Sequence, residues 1–403
     1  MLLKTEISKI ADSQAGFNKS AEKGLLRDSL YALPVLSNHA VIITGIRRCG
    51  KSTMLNQLIS ERYPDAFFMN FSDNRLYGFE NSDFSRLDEV IAESGKRDLF
   101  FDELQEVKGW ERYVRQKLDE KFHVVITGSN ALLLSKELGT LLTDRYLSRE
   151  LFPFSFSEFL TFRAFSAGEE ELKEFMLNGG FPEYLKTANH EILTTLFDDI
   201  LIRDIVIRHG IRDIKSLQNL ALYLISNTGN TITGSKLKHA FGISATSTIM
   251  EYFSFLESSY LFYFVPRFSY SLKSRMINPR KVYAADPGLI TVNTASFSED
   301  YGHKLENVIY NYLRSFNKEI FYFKMNRECD FITVKRGAKP RAIQVCYNLD
   351  RDNLERELEG LYEAMKELKI REGTIVTLNQ KDKFTDKNLT ANVIPAFEFM
   401  KKI

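Results

Sequence analysis

The residues best typed and spaced for chemistry in this 403-residue chain are Gly45, Ile46, Arg47, Arg48, Cys49, Gly50, Lys51, Ser52 and Thr53, which satisfy the pattern G-x-x-x-x-G-K-S/T. Glycines at both ends let successive backbone N–H groups turn inward around a triphosphate. A helix starting at Lys51 would add the positive end of its dipole. Lys51 would then reach the β- and γ-phosphates, and the Ser52 hydroxyl would ligate Mg²⁺. The flanks have the order this chemistry needs. HAVIIT (39–44) reads as a buried parallel strand, and MLNQLISERY (54–63) as a helix with Leu55, Leu58 and Ile59 on one face. The stretch implies a nucleoside-triphosphate cradle. Cys49 falls where such a loop contributes backbone, so its thiol is expected to be tolerated and open to alkylation, with nucleotide protecting it.

A second group lies about fifty residues on. DLFFDELQ places Asp102 and Glu103 at the end of an apolar strand. Two adjacent carboxylates at a strand end are costly unless a cation or water balances them. Asp102 would hold Mg²⁺ and Glu103 would polarise an attacking water. Between the two motifs DAFFMNFSD reads as a further strand, and an extra strand between the two motif strands points to the ATPase branch of phosphate-loop proteins. The next strand, FHVVITGSN, ends in Ser129 and Asn130, where a polar side chain could sense the γ-phosphate. Arg145, in LLTDRYLSRE, is either a finger that stabilises transition-state charge or the partner of a surface carboxylate. A finger acting in trans would require self-association.

The third group is C-terminal. A helix (GHKLENVIYNYLRSF), three strands (EIFYFKM, ECDFITVK, RAIQVCYN), a long amphipathic helix and further strands follow in succession. That is the core order of restriction-endonuclease-like folds. Glu306, Asp330 and Gln344 fall where such a site would bind a cation, or they are simply polar residues at strand ends. The lysine expected two positions after Gln344 is Cys346, and a thiol supplies no fixed positive charge. Cleavage is therefore disfavoured, and a structural or nucleic-acid-holding role is expected; Lys335 or Lys324 could substitute only from a neighbouring strand.

Between the first two groups and the third, three helical segments precede two strands, LFYFVPRFSY and RKVYAAD, joined by SLKSRMINP. This is the layout of a winged helix. Residues 211–290 carry nine basic and four acidic side chains, with Lys273, Arg275, Arg280 and Lys281 clustered on the wing as phosphate contacts. The third helix has no lysine or arginine, which leaves little for base readout. Over the whole chain, 54 basic and 53 acidic residues give a net charge of +1, so any nucleic-acid contact must be local. Three cysteines without metal or disulfide spacing suit a reducing compartment, and with no signal-like or membrane-length apolar run the expectation is a cytoplasmic protein free of membrane.

In the order of its motifs the chain resembles prokaryotic, archaeal-type ATPases of the AAA+ superfamily with a C-terminal domain of unknown function. The segments that carry the likeness are GIRRCGKST, LFFDELQEVKGWE, VVITGSN, LLTDRY with LFPFSFSEFL, NGGFPEYL (178–185), AADPGL (284–289), and Glu306 with ECDF and IQV. The GGFPE-like segment has no chemistry of its own to derive; its glycines read as a tight turn, a lid or hinge. The resemblance implies an α/β phosphate-loop domain with a parallel sheet and helical lid (1–204), a winged helix (205–290) and a degenerate nuclease-like α/β domain (291–403). It also selects ATP as the nucleotide. The expected activity is Mg²⁺-dependent ATP hydrolysis coupled to rearrangement of the C-terminal domains, on double-stranded DNA. The alternatives are a nucleotide-gated switch that binds a protein partner and, third, an ATP-controlled nuclease.

Overall fold

A computed structural model describes residues 1–34, 38–129, 142, 145–243, 245–294 and 300–401. They form two compact units, 1–151 and 152–403.

In the first unit, apolar runs bounded by turns become strands β1 (Ala40–Thr44), β2 (Phe67–Asn70), β3 (Asp98–Asp102), β4 (His123–Gly128) and β5 (Tyr146–Glu150). All pair in parallel in the order β2-β3-β4-β1-β5. β1 is buried along its whole length, as a strand covered on both faces must be. The strand inserted between β1 and β3 is β4, while β2 lies outside β3. The expectation of an extra strand between the motif strands thus holds in space through FHVVITG, whereas DAFFMNFSD is the edge. That edge is covered by the helix Lys4–Ser20: Gln14 Nε2 donates to the Asn70 carbonyl at 3.1 Å, and Gln14 Oε1 accepts from Asn70 N–H at 2.8 Å. A side-chain amide here does the work of another strand. Ile7, Ile10, Phe101, Trp110 and Val114 belong to the core this builds.

The second unit begins with helices Phe156–Arg163, Glu169–Asn178, Pro182–Thr187 and His190–Asp199. The last continues through a π-helical stretch, Ile200–Ile207, so the helical run reaches 209 and the 204/205 position falls inside it. Three helices follow, Ile214–Ser226, Gly234–Phe241 and Thr246–Ser258, with a small antiparallel sheet of β6 (Thr231–Ile232), β7 (Phe262–Pro266) and β8 (Arg280–Ala284) in the order β6-β8-β7. The connection between β7 and β8, SLKSRMINP, carries a short helix, Leu272–Ile277.

Past residue 300, the helix Tyr301–Phe316 leads into β9 (Glu319–Lys324), β10 (Glu328–Val334) and β11 (Arg341–Val345), an antiparallel meander. After the helix Leu354–Glu367 comes β12 (Glu372–Thr377), parallel to β11. β13 (Asp382–Asp386) and β14 (Leu389–Pro395) complete a mixed sheet ordered β13-β14-β12-β11-β10-β9. No helix among the described residues is long and apolar enough to cross a membrane.

Candidate active site

The phosphate loop forms at the C-terminal end of β1, where parallel strands aim a crevice at the helix that follows. Gly45 and Gly50 take φ of 148° and 101°, and Arg48 adopts 62°. Glycine is required at 45 for a second reason: a Cβ there would run into the Leu151 carbonyl. Gly50 caps the helix Lys51–Arg62. Ile46 and Cys49 close the turn (Cys49 N–H to Ile46 O, 3.3 Å), while Arg47, Ser52 and Thr53 remain at or near the surface. Lys51 is buried, its ammonium donating to the carbonyls of Gly45 and Ile46, both at 3.0 Å. The loop therefore holds its own cation in place before any anion arrives.

Asp102 and Glu103 stand two strands away on β3. Asp102 is buried and accepts a hydrogen bond from Thr127 Oγ1 on β4, and Thr127 Oγ1 in turn accepts from Glu103 N–H at 3.2 Å. Burial pushes the Asp102 carboxyl up, and the Glu103 charge pushes it further, against the Ser52 hydroxyl and Lys51, which favour the anion. That combination fits a divalent cation: two carboxylates short of positive charge, with the Ser52 hydroxyl in hydrogen-bonding reach of one. Glu103 has φ of 51°, a strained value for a residue with a side chain, and accepts from Gln105 Nε2 and Ser129 Oγ (3.5 Å). Its carboxylate is thereby aimed rather than free. Asn130 lies outside the described residues.

Arg145 is not brought to this crevice within its own chain. It precedes β5 at the opposite end of the parallel sheet, since Tyr146 is in register with Ala40 at the start of β1, and its guanidinium pairs with Asp119 at 2.8 Å. The surface-carboxylate alternative is the one realised in cis. Arg149, in register with Ile43, is the β5 basic residue at the crevice end of the strand.

Three contributors escaped sequence reading. Arg27, buried, donates from Nη1 to the Cys49 carbonyl at 2.9 Å and so turns that oxygen away from the cradle. Thr127 ties the Asp102 carboxylate to the Glu103 backbone N–H. Leu151 accepts from Cys49 Sγ at 3.3 Å and donates its own N–H to Thr44 O at 2.7 Å. None has a motif, because each acts through a fold contact. The Cys49 thiol is fully buried and burial pushes it up, both of which oppose alkylation; Cys49 packs the loop against the end of β5.

Residues 37–160 match a family described as an AAA domain, and residues 169–299 match a domain of unknown function, DUF8612. The chain is 33% identical over 399 residues to the Uncharacterized protein MJ1544 of Methanocaldococcus jannaschii, covering 91% of this chain and 89% of that one. The chain belongs to this family of AAA-domain proteins. An uncharacterized protein of Haemophilus influenzae is 30% identical over 319 residues, or 73% of this chain and 79% of its own length. AMPPCP-bound DnaA from Aquifex aeolicus superposes with a TM-score of 0.28 at 14% identity, covering 57% of this chain and 85% of that one. A similarity that loose leaves fold and function to be argued from the chain. The AAA-domain match spans the phosphate loop and strands β1 to β5.

In this AAA-domain protein the remaining motifs come together in the second unit. Phe154 N–H donates to the Gly180 carbonyl at 2.7 Å, and the buried Asp286 carboxylate accepts from Gly180 N–H (2.6 Å) and Gly288 N–H (2.8 Å). A Cβ on Gly179 would strike Asp286, one on Gly180 the Phe154 carbonyl, and one on Gly288 the Asn178 carbonyl. The segments PFSFSEFL, GGFPEYL and ADPGL are thus one interlocked joint. The C-terminal trio also converges. Glu306 on the helix Tyr301–Phe316 and Asp330 on β10 face each other, and Gln344 on β11 donates to Glu357 (2.6 Å) and accepts from Asp330 N–H (3.2 Å). Between Glu306 and Asp330 lies the ammonium of Lys281 from β8.

Proposed function

We propose that the chain is a Mg²⁺-dependent ATPase that couples hydrolysis to rearrangement of the modules following its AAA domain, acting on double-stranded DNA. The observation that carries this is the convergence, at one end of one parallel sheet, of a lysine-bearing phosphate loop with the buried Asp102 and the half-buried Glu103. Lys51 and the loop amides would hold the β- and γ-phosphates, and Ser52 with Asp102 would hold Mg²⁺. The metal, once bound, would offset charge on the phosphoryl oxygens. Glu103, fixed by Gln105 and Ser129, would take the proton of the attacking water.

The contacts of Gly45 and Cys49 with Leu151 support coupling, because Leu151 is the last residue of the first compact unit. We read the following helices and sheet β6-β8-β7, over 205–290, as a winged helix, and 291–403 as a restriction-endonuclease-like module that holds rather than cuts. The element order of each supports the reading. A nucleotide-gated switch binding a protein partner is the second reading. It is favoured by one observation: the β7–β8 connection exposes Tyr270, Leu272, Met276 and Ile277, each more than 70% accessible, where a DNA-binding wing would show charge.

Mg²⁺-dependent ATP hydrolysis, measured with and without double-stranded DNA and with Glu103→Gln as the blank, tests both. Stimulation by DNA supports the first reading. Hydrolysis unmoved by DNA transfers the search to a protein, and no hydrolysis above the blank removes the ATPase.

A further inference from the structure

Lys281 is almost completely buried, yet its ammonium meets three carboxylates: Asp330 Oδ1 at 2.8 Å, Glu328 Oε1 at 2.9 Å and Glu306 Oε1 at 3.0 Å. An ammonium has three N–H donors and no acceptor, so this arrangement satisfies it completely. Two of the other oxygens are also engaged: Val345 N–H donates to Asp330 Oδ2 at 2.8 Å, and Lys324 pairs with Glu328 Oε2 at 3.1 Å. Tyr283 Oη donates to the same Glu306 Oε1 that meets Lys281, at 2.6 Å. Gln344, expected as a cation ligand, spends its oxygen on Asp330 N–H and its amide on Glu357, whose other oxygen is paired by Arg356 at 2.7 Å.

A nuclease-like site would place a divalent ion at about 2.0–2.6 Å from such oxygens. Here the oxygens converge instead on a nitrogen at ammonium distance, and no group of three acidic, histidine or cysteine residues among the described residues has metal-holding geometry. The cation such a fold implies does not fit while Lys281 is present. Burial alone would pull the lysine down, but Asp330, Glu306 and Glu328 hold it well above its ordinary value, so the ammonium stays charged.

We infer that Lys281 is a built-in cation: reaching from β8, it takes the place of the metal between Glu306 and Asp330 and makes this cluster an ion-pair joint closed to divalent ions. The lysine missing at 346 is therefore replaced in charge, but from another sheet and in the metal's own position. The module past residue 300 then works without metal. Removing the ammonium would leave the buried Glu306 and Asp330 and the half-buried Glu328 facing one another, and they must bind protons or recruit a cation.

The test is Mn²⁺ binding to the full chain, followed by electron paramagnetic resonance in an Asp102→Asn background, so that the AAA domain contributes no acid pair. With Lys281 intact, Asp330→Asn should change nothing, because no ion is held there. Lys281→Met should gain one Mn²⁺ per chain, lost again in Lys281→Met/Asp330→Asn, and Mn²⁺ should raise its melting temperature. A folded Lys281→Met that gains no ion overturns the inference. If that variant does not fold, the lysine-containing pair decides alone: Mn²⁺ bound by the chain and lost on Asp330→Asn overturns it, and equal, negligible binding by both upholds it.

Discussion

The first unit and the second each gather carboxylates around a buried aspartate, and they treat the charge in opposite ways. Asp102 and Glu103 face a crevice, and Lys51 of the phosphate loop bonds to loop carbonyls rather than to them. Glu306, Glu328 and Asp330 share one lysine, which points at all three. A carboxylate pair without a cation paired to it is a receptor for one; the same groups around an ammonium are a joint. What separates a site from a brace is thus where the chain puts its positive charge, not how many acids it gathers.

The comparison breaks most readily at Glu103. Glu103→Gln keeps the shape and the hydrogen bonds but removes the base, so turnover should fall by roughly 10²–10⁴-fold while nucleotide binding persists. Lys51→Ala should instead abolish binding itself. Steady-state hydrolysis and fluorescent-nucleotide titration separate the two, and normal turnover by Glu103→Gln would remove that residue from the mechanism.

In the second unit the matching change is to stability. Lys281→Met should lower the unfolding free energy by about 3–5 kcal/mol, the usual cost of orphaning buried charges. Denaturant unfolding in the absence of divalent ions measures it. A loss under about 1 kcal/mol would mean the cluster is no brace.

Much of the first unit was legible because its motifs are local. GIRRCGKST and FFDELQ carry loop, helix start and strand end in contiguous residues, and periodicity gave the strands. Long-range pairing was not legible. β4 rather than β2 separates the motif strands, and nothing in FHVVITG states its neighbours. Arg145 was near the right motifs in sequence yet sits at the far end of the sheet. In the second unit the helix and strand order past residue 300 was readable from alternating apolar patterns, but Lys281 looked like a basic residue on an exposed wing. Only the fold turns that side chain inward. GGFPEYL had no derivable role because its partners, Phe154 and Asp286, are distant in sequence.

A subtler contrast is in pH response. Burial without a countercharge pushes Asp286 up to about 7, although the backbone N–H groups of Gly180, Gly288 and Leu289 favour its anion. Glu306 is also held at about 7, by burial and by Asp330. Both pKa values exceed those of the unfolded chain, so the folded second unit binds more protons. Its stability from these groups is complete below about pH 4 and is lost as pH rises through 7. Unfolding midpoints from pH 5 to 8 should therefore decline for the second unit, and Asp286→Asn should flatten the slope. A slope unchanged by Asp286→Asn would assign the effect elsewhere.

The smallest expected effect concerns the thiols, where the two units should look alike. Cys49 is sealed behind the phosphate loop, and Cys346, only partly covered, is pushed up to about 12 by burial and by the Glu357 charge. The thiolate is the reactive form, so neither should be alkylated at an appreciable rate at neutral pH. Cys346, the more accessible, should react first as pH is raised. ATP should leave the Cys49 rate unchanged, because access to that thiol needs the loop to leave β5 rather than a nucleotide to leave the loop. Mass-resolved iodoacetamide labelling reads each cysteine separately. Rapid Cys49 labelling that ATP suppresses would show that the loop opens in the resting chain, and that its contact with Leu151 is made only around nucleotide.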